Sequence, residues 1–462
     1  MSRRHLPLLA VVVVFSLIVG ACAPAKPQPT TAPEPTAAGA EPTQAVTAPT
    51  EGEVVTLKVW DFGGVEFEWL DSIIAPAFNE KYPNIKIEHL GIPESEFSIK
   101  LETAIAAGDV PDLAVFVPAR LMKAGHVMPL DDFMAQDGFK VDDFFPLFKS
   151  RSMLEGKVYS LPANIFVWGM IYNKDLFKAA NLPELNADSV ITFDDWLQYA
   201  RAINKPSDKL EERVWGSAMF WPAWNSMNNY MSDPFVLGPD GRQCVGYADN
   251  EDWLHAWEVM LTAYKEDLTP DSASTLLGEM SFIDLFKQGK LGMMYGTYGD
   301  ASAARAAGIN VGITGQPVVT KGWKGNVGGW ATEYSIMAGS KHPKEAWLLL
   351  KFLATDGAKL LSEAAAGEAA HSEGIESPPC YMPLAQDWAG DDPLKQESLK
   401  LMERIVPPPF TPDIWTSVDP FNEAWRRMTE DGVDVKTAIS EAAIECQEVT
   451  DDLWEEWEKL GQ

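Results

Sequence analysis

The chain predicts an α/β fold, and three observations carry that expectation. Short β-rich runs alternate apolar and polar residues. Between them lie segments whose apolar residues recur every three or four positions, and Gly, Pro and Asn mark the joins. The opening β-α-β-α-β order implies a mainly parallel sheet with right-handed crossovers.

Residues 54–60 read as a strand, with Val55, Leu57 and Val59 on one face. Asp61, Phe62, Gly63 and Gly64 form a turn. Residues 66–82 carry helical periodicity through Trp69, Ile73, Ile74 and Phe78, stopped by Pro83 and Asn84. Residues 85–90 alternate again, 94–107 predict a helix closed by Gly108, and 112–117 predict a buried strand. Ligands of open parallel sheets sit beyond the carboxyl ends of the strands. That rule brings residues 61–63 and 116–118 to one rim. Further on, 156–162 leads into a strand around Tyr172 and Asn173, and residue 193 opens a helix. A strand from 214 runs into a loop bearing Trp221 and Trp224, and Pro239, Asp240 and Gly241 give a hairpin signal. Helices over 251–266 and 281–288 precede strands at 289–295 and from 328. A helix over 344–353 and an amphipathic helical tail over 420–460 complete the order.

The 462 residues suggest two or three compact units. With 46% hydrophobic and 23% charged residues, the body is neither disordered nor fibrous. The 37 basic and 67 acidic side chains give a net charge of −30, which disfavours nucleic acid. The 17 Trp and 11 Tyr form a large stock of flat, amphipathic rings suited to cores and ligand platforms alike.

At the N-terminus, Arg3 and Arg4 precede an apolar run over 6–19 that ends in Gly20, Ala21 and Cys22. A positive start, a short apolar stretch and small residues predict a secretory signal over 1–21. The run is short of the roughly 20 apolar residues a membrane span needs. Cys22 after Gly20 and Ala21 resembles a lipobox, whose thiol would be acylated as the new N-terminus. Residues 22–53 then read as a stalk, because 23–52 hold seven Pro, eight Ala and six Thr and little to bury. The expected address is extracytoplasmic, with a membrane tie through the lipid anchor only.

Setting Cys22 aside, Cys244, Cys380 and Cys446 predict one disulfide and one thiol, with the pairing left open. The six His are scattered, and no Cys pair has zinc-finger spacing. No nucleophile elbow, P-loop or dinucleotide fingerprint occurs, so nothing points to a metal, a cofactor or catalysis.

Several segments resemble the extracellular solute-binding proteins of ABC importers, in the sugar-binding group similar to maltose-binding protein. They are 106–113 with Gly108, Pro111 and Asp112; 125–133 with Gly125, Pro129 and Phe133; and 156–162. Tyr172 to Phe177, Phe286 to Lys290, Val327 to Trp330 and the helix leading to Trp347 follow in family order. The resemblance covers 54 to about 460. It implies a two-lobed periplasmic-binding-protein-like fold with a ligand cleft at the hinge. The first lobe would be 54–163 plus 325–358, and the second 164–324 plus 359–462. Crossings would fall near 162–167, 317–324 and 354–357.

A sugar site stacks aromatic faces on C–H patches and points polar groups at hydroxyls. The candidate ligand residues are Phe62 and Phe116 at the first-lobe rim, Trp168 past the hinge, Trp221 and Trp224, Tyr298, Trp330 and Trp415. Asp61, Arg120, Asn164 and Glu333 are the polar candidates. Phe166 falls where the family has an acidic wall, counted back from Tyr172, which implies a more apolar cleft. Trp196, Trp253, Trp257, Trp347, Trp425, Trp454 and Trp457 lie on expected helices and read as packing. The implied function is a non-enzymatic, monomeric receptor that passes a sugar or oligosaccharide to ABC permease subunits. The alternatives are another polar solute (a glycerophosphodiester, polyamine or peptide) or a lipid-anchored glycosidase.

Overall fold

Strand β1 (Val55–Phe62) buries Val55, Leu57 and Val59 and exposes the residues between them, so the alternation read from the sequence sets its two faces. The structure is a computed structural model that describes residues 54–62, 68–218, 232–233, 235–270, 280–364 and 377–460, save the side chain of Trp415. β1 is flanked in parallel by β2 (Ile85–Ile92) and β3 (Leu113–Val115). The helix Glu94–Ala107 that joins them ends at Gly108, whose φ of +70° is the left-handed turn that favours glycine. Between β1 and β2 the chain makes a π-turn, Leu70–Ile74, before the helix Ala75–Lys81.

The hairpin β4 (Met153–Leu154) and β5 (Lys157–Val158) turns through Glu155 and Gly156, both at positive φ. It leads into β6 (Leu161–Asn173), then β7 (Trp215–Ala218), β8 (Leu291–Gly296), β9 (Val311–Thr314) and β10 (Gly328–Ile336). The strand order is β2-β1-β3-β10-β6-β8-β7, with β9 also paired to β6. Among the described residues, the β1–β2, β1–β3 and β7–β8 ladders are parallel, and those of β10 with β3 and β6, and of β6 with β8 and β9, are antiparallel. The expectation of a mainly parallel sheet is therefore corrected to a mixed one. β10 returns against the direction of both neighbours, which the opening β-α-β repeat cannot reveal.

β6 spans both halves of the sheet. Residues 161–168 pair with β10, beside β3, β1 and β2. Residues 169–173 lie between β8 and β9. Two buried clusters flank the sheet. One gathers Leu57, Phe78, Val115, Ile165 and Trp347 and continues to Leu285 and Phe286. The other gathers Tyr172, Trp196, Trp253, Trp257, Phe421 and Ile439. The expected crossing at 354–357 lies in a π-turn, Leu353–Gly357, inside a continuous helical run.

The signal at Pro239, Asp240 and Gly241 is a turn with Gly241 at φ +71°, but no strands flank it, so the hairpin is corrected to a loop turn. The helical tail is two helices, Pro420–Thr429 and Val435–Lys459, broken at Gly432. The pairing of cysteines is Cys244–Cys446, and Cys380 is a buried free thiol. Among the described residues, no helix is long and apolar enough to cross a membrane.

Candidate functional site

Six half-buried aromatic side chains mark a band from the ends of β1 and β3 across β10 and β6 to β8. Phe62, at the end of β1, lies 5.2 Å from Phe116 between ring centroids, and Phe116 lies 5.3 Å from Trp330. Trp330 is directly opposite Phe166 in the antiparallel β10–β6 ladder, and Gly328 is opposite Trp168. Opposed residues of such a ladder share a face, and residues two apart along a strand share it too. Phe166, Trp168 and Trp330 therefore stand on one side of the sheet. Trp168 lies 5.3 Å from Tyr295 of β8, which ends the row. Gly328 has no side chain opposite Trp168, whereas Gly329 faces the other way and lets Leu147 and Ile405 pack close beneath the strand.

Phe116 adopts φ +45°, an unusual left-handed conformation for a bulky residue. Its backbone N–H donates to the Glu333 carbonyl across 2.9 Å. Such strain persists where neighbours fix the backbone, and it clusters at functional sites. Here it aims the ring between Phe62 and Trp330.

Arg151 was not singled out from the sequence, yet it joins the polar and aromatic parts of the site. Its guanidinium carbon lies 3.7 Å from the Trp330 ring centroid. Its Nε and Nη2 donate to Glu333 across 2.6 and 3.3 Å. Burial pushes the Glu333 carboxyl above the ordinary glutamate range, and the charge and hydrogen bonds of Arg151 oppose that shift. Two of the five guanidinium N–H groups are thus used, and the rest can meet other acceptors. Arg151 and Glu333 are 182 residues apart, so no local pattern betrays the pair.

Asn164 stands beside this pair on a β-bulge. Ala331 pairs with Ile165 and Glu333 with Pro162, so Ala163 and Asn164 together oppose Thr332. Asn164 is 4% exposed, and its Oδ1 has no hydrogen-bond partner among the described residues. Buried amide oxygens are rarely left so.

Other candidates fall elsewhere. Asp61 is fully buried: His89 Nε2 lies 2.6 Å away and the Tyr334 hydroxyl donates to it across 3.1 Å. It is corrected from ligand contact to a support beneath the rim, because its oxygens are already engaged. Burial disfavours the His89 imidazolium, but the hydrogen bonds and charges of Asp61 and Asp71 outweigh it and push His89 up to about 9. Tyr298 is 1% exposed, begins the helix Tyr298–Ala306 and packs edge-on to Trp388 at 4.8 Å, so it is corrected to packing. Arg120 is exposed and paired with Glu102. Trp415 falls in the helix Ile414–Val418, but its side chain lies outside the described residues, as do Trp221, Trp224 and Cys22. Among the described residues no acidic, His or Cys cluster could hold a metal.

An aromatic band with a paired guanidinium and a buried amide, carried on a sheet whose two halves share one strand, is an arrangement suited to holding a solute. The profile described as bacterial extracellular solute-binding protein matches residues 64–360. The chain belongs to that family, whose members are binding proteins and not enzymes. A putative binding protein of Brucella abortus is 29% identical over 294 residues, covering 61% of this chain and 67% of that one. The galactooligosaccharide-binding protein of Bacillus subtilis is 25% identical over 304 residues, covering 63% and 66%. Among solved structures, the sugar-binding protein MalE of Xanthomonas citri superposes with a TM-score of 0.69 at 17% identity, covering 87% of this chain and 99% of that one. An ABC substrate-binding protein of Listeria monocytogenes in complex with cycloalternan gives 0.68 at 17%, covering 86% and 99%. At these identities the structural likeness establishes the two-lobed α/β fold.

Proposed function

We propose that the chain is a receptor that captures a sugar or oligosaccharide between its lobes and delivers it to the permease of an ABC transporter. The observation that carries this reading is the band from Phe62 to Tyr295, with Arg151 and Asn164 beside it. Flat rings suit the C–H faces of a pyranose, while the spare guanidinium N–H groups and the Asn164 oxygen suit its hydroxyls. The names of the Bacillus subtilis and Xanthomonas citri proteins agree with a sugar ligand.

The lobes we assign are 54–163 plus 325–358 and 164–324 plus 359–462. The division of β6 between two half-sheets supports a two-lobed body, with the change of partners falling between Trp168 and Gly169, five residues beyond the assigned boundary. Acylated Cys22 and the Pro-rich stalk would hold the body outside the cytoplasmic membrane.

A thermal-shift screen of mono- and oligosaccharides, followed by calorimetric titration of the best, tests the reading. A sugar that stabilises the wild type should bind about tenfold or more weakly to Trp330→Ala, a difference of about 1.4 kcal/mol. Sugars that never shift the melting temperature, or a Trp330→Ala variant with unchanged affinity, would refute it.

A further inference from the structure

The last helix, Val435–Lys459, is anchored along most of its length in the core around Trp253 and Trp257. Ala438, Ile439, Ala442, Ala443 and Cys446 are buried there, and Cys446 is bonded to Cys244. Trp454 is tied to the second part of the chain and meets the other cluster: its Nε1 donates to the Gly241 carbonyl across 3.1 Å, Arg242 stacks 3.7 Å from its ring centroid, and its edge meets Phe410 at 5.8 Å.

Trp457 leaves that core. It is buried with the other cluster, and Lys123 Nζ lies 4.5 Å from its ring centroid. With Phe410 it faces Met153 and Leu154 across a crevice of about 310 Å³. Lys123 ends the short helix Ala119–Lys123, which begins three residues after Phe116, and Leu154 follows Arg151 by three residues. The indole therefore rests on the segments that follow Phe116 and Arg151 in the chain, although its helix is fastened to the part assigned above to the second lobe.

We propose that Trp457 is a positioning residue for solute capture: a contact from the second lobe onto the rim of the first that favours the closed cleft. The inference rests on the two-lobed capture reading above. Closure exchanges an open for a closed state, and only contacts that differ between the two shift the balance. A cation–π contact and a buried indole made on closure belong to that set. Affinity for a solute held by the closed form scales with the fraction of chains able to close.

The test uses the full chain without ligand. Small-angle X-ray scattering should show a larger radius of gyration for Trp457→Ala and for Lys123→Gln than for the wild type, with Trp457→Phe close to wild type. Lys123→Gln alters only the half-buried partner on the other lobe, so it answers if Trp457→Ala folds poorly. Titration with maltotriose and with galactooligosaccharides should show about three- to tenfold weaker binding in Trp457→Ala, and recovery in Trp457→Phe. Wild-type dimensions in both Trp457→Ala and Lys123→Gln would overturn the proposal. If the wild type bound no sugar, the capture reading would fall, while the scattering would still decide this one.

Discussion

The guanidinium of Arg151 sits over the Trp330 ring at 3.7 Å, and the same side chain neutralises Glu333 beneath it. One residue thus orients one of the two indoles of the band and pairs with the buried carboxylate beside it.

Removing Arg151 should therefore cost far more than an exposed arginine would. Arg151→Ala leaves Glu333, 5% exposed, without its partner, and breaking a buried pair costs about 3–5 kcal/mol. Glu333 is already pushed up by burial, and loss of Arg151 raises it further, so the folded variant takes up a proton more readily than the unfolded chain. Its stability should rise as pH falls from 7 toward 5. Guanidinium denaturation at the two pH values reads this out, and equal stability of variant and wild type would contradict it.

Asn164 offers the opposite trade. Its Oδ1 is buried without a partner among the described residues, so Asn164→Leu should hold or raise stability by about 1 kcal/mol. Sugar affinity should fall about tenfold, because the bulge residue no longer accepts a hydroxyl. Melting curves and calorimetry on one preparation separate the two effects.

His89 makes stability depend on alkaline pH. Its folded value of about 9 stands above the ordinary 6.5, so the stabilisation by Asp61 and Asp71 is complete below pH 6.5 and disappears as pH rises through about 9. The shift corresponds to an upper bound of about 3 kcal/mol. Urea midpoints measured from pH 6 to 9.5 should fall in the wild type and stay flatter in His89→Gln.

The disulfide joins positions 202 residues apart, Cys244 before one helix of the second core and Cys446 in the last. Reduction should lower stability by about 2–5 kcal/mol. With Cys22 lipidated or replaced by Ser, a thiol reagent should find no reactive group in the native protein and one, Cys380, after denaturation. Three thiols without reduction would contradict the bond.

Much of the fold was legible locally. The alternation of Val55, Leu57 and Val59, the stop at Gly108 and the opening of a helix at Phe193 are short-range signals, and each marks its element. Strand direction was not legible, because β10 pairs with β3 across more than two hundred residues. Of the aromatic band, Phe62, Phe116, Trp168 and Trp330 were readable as aromatics at strand ends or beside glycine, while their role toward a solute is the proposal made above. Asp61 misled because its partners, His89 and Tyr334, arrive from other strands. Arg151 was missed because only its long-range contact with Glu333 distinguishes it from any basic residue near a helix end.

The two faces of β6 separate two evolutionary pressures. Ile165 and Val167 point into the core and hold the sheet together, whereas Phe166 and Trp168 face the other way with Trp330. On the capture reading proposed above, substitution at Phe166 and Trp168 would retune which solute is preferred with little cost to folding, whereas Met170 and Tyr172 further along the same face are core residues. Alternate residues of one strand can then diversify at different rates, so a new specificity need not begin with a weaker scaffold.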